Sequence, residues 1–184
     1  MEIKGEYQIA SSREDVWQAL NDPETLKKCI PGCESMERIS ETEFAATVMA
    51  AIGPVRARFN TKLLLENLNP PESYTLVGES KAGAAGFGRG SADVSLAGND
   101  DGTLLSYSAD FNVGGKLAQV GSRLVLGATK KTADDFFGKF SRELDPGAAR
   151  VDAEDAGDGM IAVKFWLAAA GATVALLIWW FLLR

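Results

Sequence analysis

Apolar and polar residues alternate from the start of the chain. Ile3, Tyr7 and Ile9 fall between Glu2, Lys4, Glu6 and Gln8, which describes a half-buried strand. The period then changes. In SSREDVWQALNDPETL, Ser12 is placed to cap a helix with Glu14 and Asp15 in its first turn, where the dipole favours acids. Val16, Trp17 and Leu20 form its apolar face, and Pro23 opens a second short helix through about Lys28. The turn Ile30-Pro31-Gly32-Cys33 returns the chain to strands.

From Glu34 to Val113 the period is two. Phe44, Ala46, Val48 and Ala50 share one face. Val55, Ala57, Phe59, Thr61, Leu63 and Leu65 share another, opposite Arg56, Arg58, Asn60 and Lys62. Leu105, Tyr107, Ala109, Phe111 and Val113 repeat the pattern. Turns fall at Gly53-Pro54, Asn69-Pro70-Pro71, Gly98 to Gly102 and Gly114-Gly115. They are too short for helical crossovers, so five or six antiparallel strands are expected. Past Gly115 the period becomes helical: Val120, Leu124, Ala128, Thr132, Phe136, Phe140 and Leu144 recur every four residues, widened by Leu117, Val125, Ala133 and Phe137. One helix of roughly 28 residues, about 42 Å long, is predicted, ending at Asp145-Pro146-Gly147. A sheet with one apolar face and a long striped helix bury both by curling the sheet around the helix, an α+β arrangement. The space left between them is a natural place for a small apolar molecule.

The end of the chain differs. Phe165 to Leu183 is 19 residues without a charge. As a helix it spans about 28 Å, close to the hydrocarbon thickness of a bilayer. Lys164 and Arg184 bracket it, and Trp166, Trp179 and Trp180 sit near its ends as interfacial aromatics do. A buried core helix is the rival reading, disfavoured because the stretch is apolar on all sides. Asp145 to Gly159 holds five acids, one Arg and no apolar period, which reads as a flexible acidic tether. The organisation is therefore a domain at 1–145, a linker at 146–160 and a transmembrane anchor at 161–184. The start MEIKGEYQIA lacks an apolar signal core, which places the domain in the cytoplasm, anchored to the cytoplasmic membrane by its C-terminus.

Composition narrows the chemistry. The 184 residues contain no His, which removes His-based triads, bases and metal ligands. Two cysteines are too few for a zinc site, and the spacing of Cys29 and Cys33 is not that of a redox pair. The net charge of -6 argues against nucleic acid. Outside the anchor, 17 basic face 25 acidic residues, a net of -8, so adhesion to anionic lipid is not expected from net charge. No inward acid–base pair stands out: Asp93 and Asp110 belong to outward strand faces.

Several motifs remain. In KAGAAGFGRGS, four glycines surround Phe87, which reads as a gate at a cavity mouth or as an ordinary glycine-rich hairpin. Arg56, Arg58 and Lys62 share an outer strand face: a solvated surface or a docking patch for an acidic partner. The candidate cavity residues are Trp17, Phe59, Thr61, Leu63, Tyr74, Phe87, Tyr107, Phe111, Leu124 and Phe136. Among them Thr61 and Tyr107 place hydroxyls on apolar faces, suited to bonding a ligand carbonyl.

The element order resembles the START-like, helix-grip superfamily. Within it the chain resembles the CoxG family of carbon monoxide dehydrogenase subunits. The likeness rests on CIPGCESME (Cys29 to Glu37), IGPVRARF (Ile52 to Phe59), GAAGFGRGSADVSL (Gly83 to Leu96) and GGKLAQVGSRL (Gly114 to Leu124), across about residues 1 to 145. The resemblance implies a non-catalytic accessory protein that attaches a molybdenum-containing carbon monoxide dehydrogenase-type enzyme to the cytoplasmic membrane. It also implies an isoprenoid quinone held in the internal cavity, which accepts electrons from that enzyme. The rivals are a cyclase or hydrolase on the same fold, a general lipid binder, and a pure anchor with a filled core.

Overall fold

A computed structural model describes residues 1–145, which form a compact unit. The linker and anchor readings fall outside the described residues. Among the described residues no helix is long and apolar enough to cross a membrane.

The chain forms β1 (Glu2–Ile9), α1 (Arg13–Leu20), α2 (Pro23–Cys29), β2 (Cys33–Arg38), β3 (Glu43–Ile52), β4 (Val55–Asn69) and β5 (Ser73–Lys81). A short 3-10 turn (Gly83–Ala85) leads to β6 (Phe87–Asn99), β7 (Gly102–Gly114), α3 (Lys116–Gln119) and α4 (Ser122–Leu144). The Ser12 hydroxyl accepts from the Asp15 amide at 3.1 Å, the expected cap of α1. The Asp22 carboxylate caps α2, accepting from the Thr25 amide at 3.0 Å, with Pro23 in the first turn.

The seven strands make one antiparallel sheet in the order β1-β7-β6-β5-β4-β3-β2. Chain-order neighbours pair from β2 to β7, and β1 closes beside β7. Helix α4 packs against both β1 and β3, which lie near opposite edges of the sheet. Only a sheet curved around the helix brings both edges to it, so the helix-grip arrangement follows. The core gathers where α1, α2 and the second half of α4 meet the inner sheet face. Ile9, Val16, Leu105 and Phe140 are each fully excluded from water there. At one end Thr103 Oγ1 donates to the Ser11 carbonyl and Ser11 Oγ to the Leu144 carbonyl, both at 2.8 Å. These bonds tie the end of α4 to the β1–α1 junction.

The single helix of 28 residues is corrected. The chain leaves helical geometry at Gly121, whose φ of +96° only glycine adopts without strain, and α4 proper is 23 residues. The break shifts the buried stripe by one position. Val125 is buried at 1% exposure while Leu124, on the expected stripe, is 54% exposed.

A candidate ligand cavity

Between α4 and the inner sheet face lies a cavity of about 460 Å³. This falls within the roughly 300–1,000 Å³ usual for small-molecule sites. Its closed end is formed by buried Leu20, Met36, Phe44, Leu65, Tyr74 and Leu105. Its rim carries exposed Ala51 and Thr132, with Ile30, Pro31 and Ile52 half-buried beside them. The mouth therefore opens between the first half of α4, the α2–β2 turn and the end of β3.

The space exists because small residues occupy the positions that face the middle of the helix. Ala92, Ala109, Ala128 and Ala133 line it where larger apolar residues would fill it. Gly5 acts in a second way. It stands opposite Tyr107, and a Cβ there would lie 2.6 Å from the Tyr107 ring. Absence of that carbon lets the ring lie flat over β1, where it stacks with Phe137 and Tyr7 at 5.9 and 6.2 Å. Phe136 meets Phe137 edge-on at 4.9 Å and stacks on Phe140.

No lining residue is charged at neutral pH. Its side-chain polar atoms belong to Tyr74, Tyr107, Thr129 and Thr132. The two threonines spend their hydroxyls on the helix, donating to the Val125 and Ala128 carbonyls at 2.9 and 3.0 Å. The Tyr74 hydroxyl differs. The residue is 7% exposed, its ring meets Trp17 edge-on at 5.5 Å, and no hydrogen-bond partner for its hydroxyl occurs among the described residues. Burial raises its pKa well above the ordinary phenol range, so it stays a neutral donor. A donor held among apolar groups without a partner costs free energy that a bound acceptor would recover.

The ten sequence candidates divide. Leu63, Tyr74, Tyr107 and Phe136 come together in the cavity wall. Trp17 stands behind Tyr74. Phe59 and Phe111 share the inner face but do not line the cavity. Thr61 also faces inward, but its hydroxyl is 2.7 Å from Ser80 Oγ across the β4–β5 pair, so it is already partnered. Phe87 does not guard the mouth. Ala92, Val94 and Leu96 face inward on β6, so strand alternation turns Phe87 outward, where its ring covers Gly114. Leu124 sits on the surface near the mouth.

Ile30 and Pro31 of the predicted turn do border the cavity. The alanines escape sequence reasoning, because an alanine in an apolar stripe reads as packing. Their signal is their concentration at facing positions of β6, β7 and α4. The gap that Gly5 makes in the stripe of Ile3, Tyr7 and Ile9 is a second signal. The cysteines are free thiols; burial raises both above the usual thiol range. Two broader hollows of about 700 and 790 Å³ lie on the outer sheet face. They are flanked by charged groups such as Lys4, Glu6, Lys62 and Arg89 and lack an apolar wall, so they make poor ligand sites.

The CoxG family model, which describes a subunit of carbon monoxide dehydrogenase, matches residues 5–145. A conserved protein from Geobacillus kaustophilus is 32% identical over 78% of this chain and 95% of its own, with a TM-score of 0.73. A protein from Chromobacterium violaceum is 14% identical over 79% and 98%, with a TM-score of 0.59. An aromatase/cyclase from a Streptomyces species is 12% identical over 86% and 99%, with a TM-score of 0.58. The last two likenesses concern the fold alone. No curated protein matches the chain. The match from residue 5 to 145, with a solved relative at 32% identity, places the chain in the CoxG family of carbon monoxide dehydrogenase subunits.

Proposed function

We propose that the domain is a non-catalytic carrier for a hydrophobic molecule with a polar head, an isoprenoid quinone. In this reading it serves a molybdenum-containing carbon monoxide dehydrogenase-type enzyme at the cytoplasmic membrane, with residues 161–184 as the tether. One observation carries the reading: an apolar cavity whose closed end holds the unpartnered Tyr74 hydroxyl. A quinone carbonyl accepts that bond, the ring packs among Leu65, Leu105 and Phe136, and the isoprenoid tail leaves through the mouth. Family membership supports the accessory role and the partner.

The lining favours carrying over chemistry. It has no carboxylate, amine or thiol to move a proton near neutral pH. The cyclase reading rests on a likeness of fold at 12% identity and gains no residue from the site.

Trp17 is the sole tryptophan of residues 1–145 and touches Tyr74. Titrating residues 1–145 with a short-chain isoprenoid quinone is expected to quench its fluorescence saturably. A response no steeper than that of free tryptophan would refute quinone binding.

A further inference from the structure

The net charge of the chain conceals how charge is arranged. Residues 1–145 hold 16 basic and 21 acidic side chains. Their three longest acid-free runs are 44–65, 80–92 and 111–133, and these hold nine of the 16 bases. The fold brings these runs together at the mouth end. The β3–β4 turn abuts the start of α4, since a Cβ on Gly53 would lie 3.1 Å from Val120 Cγ1 and 3.6 Å from Leu124 Cδ1. Helix α3 packs against the 3-10 turn and β7, and the 3-10 turn against β4.

Some of these bases are neutralised locally. Arg58 pairs with Glu34 at 2.8 Å, Lys81 with Glu79 at 3.4 Å, and Lys130 and Lys131 with Asp134 and Asp135. Arg56, Arg89, Lys116 and Arg123 are exposed and have no carboxylate within 4.0 Å among the described residues. Beside them Leu124 is 54% exposed, one helical turn before Ala128 of the cavity wall. Unpaired cations around an exposed leucine, at the rim of an apolar cavity, match a surface that is anionic outside and apolar beneath.

We infer that this end docks the domain, mouth first, on an anionic lipid bilayer. Arg56, Lys116 and Arg123 meet the headgroups and Leu124 inserts below them. Its consequence, passage of ligand between bilayer and cavity without crossing water, rests on the carrier reading; the docking itself does not. Charge complementarity and the inserted leucine favour lipid over an acidic protein, which would need no apolar contact at the rim.

The test uses residues 1–145, so that no tail contributes. The Geobacillus relative, nearly all of whose chain is matched by this domain, folds without one. The fragment is sedimented with vesicles of phosphatidylcholine alone and of phosphatidylcholine mixed with phosphatidylglycerol. Binding is expected only to the mixture, weakening as salt shortens the screening length from ~10 Å at 0.1 M to ~3 Å at 1 M. At about fivefold per charge, neutralising Arg56, Lys116 and Arg123 to Gln weakens binding about 100-fold. Neutralising Lys4, Lys27 and Lys139, outside these runs, leaves it unchanged. Equal binding to both vesicles, or full binding by the Arg56, Lys116 and Arg123 variant with its circular dichroism intact, overturns the inference. Sedimentation with neither vesicle also overturns it, in favour of an acidic protein surface. Quenching of Trp17 by quinone separates the two readings. Docking without quenching removes the carrier function and keeps the surface, whereas quenching without docking does the reverse.

Discussion

Tyr74 is the residue on which specificity turns. It is buried beside Trp17 and its hydroxyl has no partner among the described residues, so removing that hydroxyl costs the fold no hydrogen bond. Tyr74→Phe is expected to leave thermal stability unchanged or slightly higher. It is also expected to weaken a carbonyl-bearing ligand by about 0.5–1.5 kcal/mol, roughly 2- to 12-fold. A fall in melting temperature with ligand affinity unchanged would show that the hydroxyl serves the fold. Asp22 makes a separate prediction. The Thr25 hydroxyl, then its amide, holds the Asp22 carboxylate below the usual range. A depressed carboxylate stabilises the fold above the ordinary carboxylate pKa, and that contribution is lost as pH falls through the folded value. Asp22→Asn keeps an acceptor for the cap and removes the titration. Acid unfolding followed by circular dichroism should then have a shallower pH dependence, while Asp22→Ala should cost about 1 kcal/mol at neutral pH. Thr61 and Tyr107 are visible in the sequence as polar atoms on apolar faces. That Ser80 already satisfies Thr61 is not, because the pairing depends on strand register.

At the scale of elements, α4 decides both stability and the size of the cavity. Its second half is anchored by Phe140, at 0% exposure, while its middle offers alanines to the sheet. Phe140→Ala should cost about 3–5 kcal/mol in denaturant unfolding, because the neighbouring rings cannot collapse into the space. Ala109→Leu, by contrast, places its added carbons in existing space and should lower stability by less than about 1.5 kcal/mol while displacing ligand. Strands and helices are legible because their periods differ and the turns carry Gly and Pro. The break at Gly121 is not, since an unbroken four-residue repeat runs through it. Only the left-handed backbone there turns Leu124 out and Val125 in.

The whole molecule joins three features that the sequence presents separately: a curved sheet, a cavity and a charge distribution. The sheet-around-helix shape follows from one apolar sheet face and one striped helix, each needing the other. The cavity's existence follows less directly, because an apolar stripe does not say whether its side chains meet. Phe59 and Phe111 lie on the right face and still miss the cavity, while alanines and Gly5 make the room. Charge is the least legible. Net values summed over the chain hide the acid-free runs that the fold gathers at the mouth. The central claim is that this domain carries a hydrophobic molecule inside. Residues 1–145 should be purified from cells containing isoprenoid quinones, washed free of detergent, extracted with organic solvent and analysed by mass spectrometry. Quinone in stoichiometric proportion, greatly reduced in Ala109→Leu of unchanged circular dichroism, is the expected result. A protein that carries no apolar molecule and takes none up when supplied, or a filled variant that carries as much as the original, would contradict it.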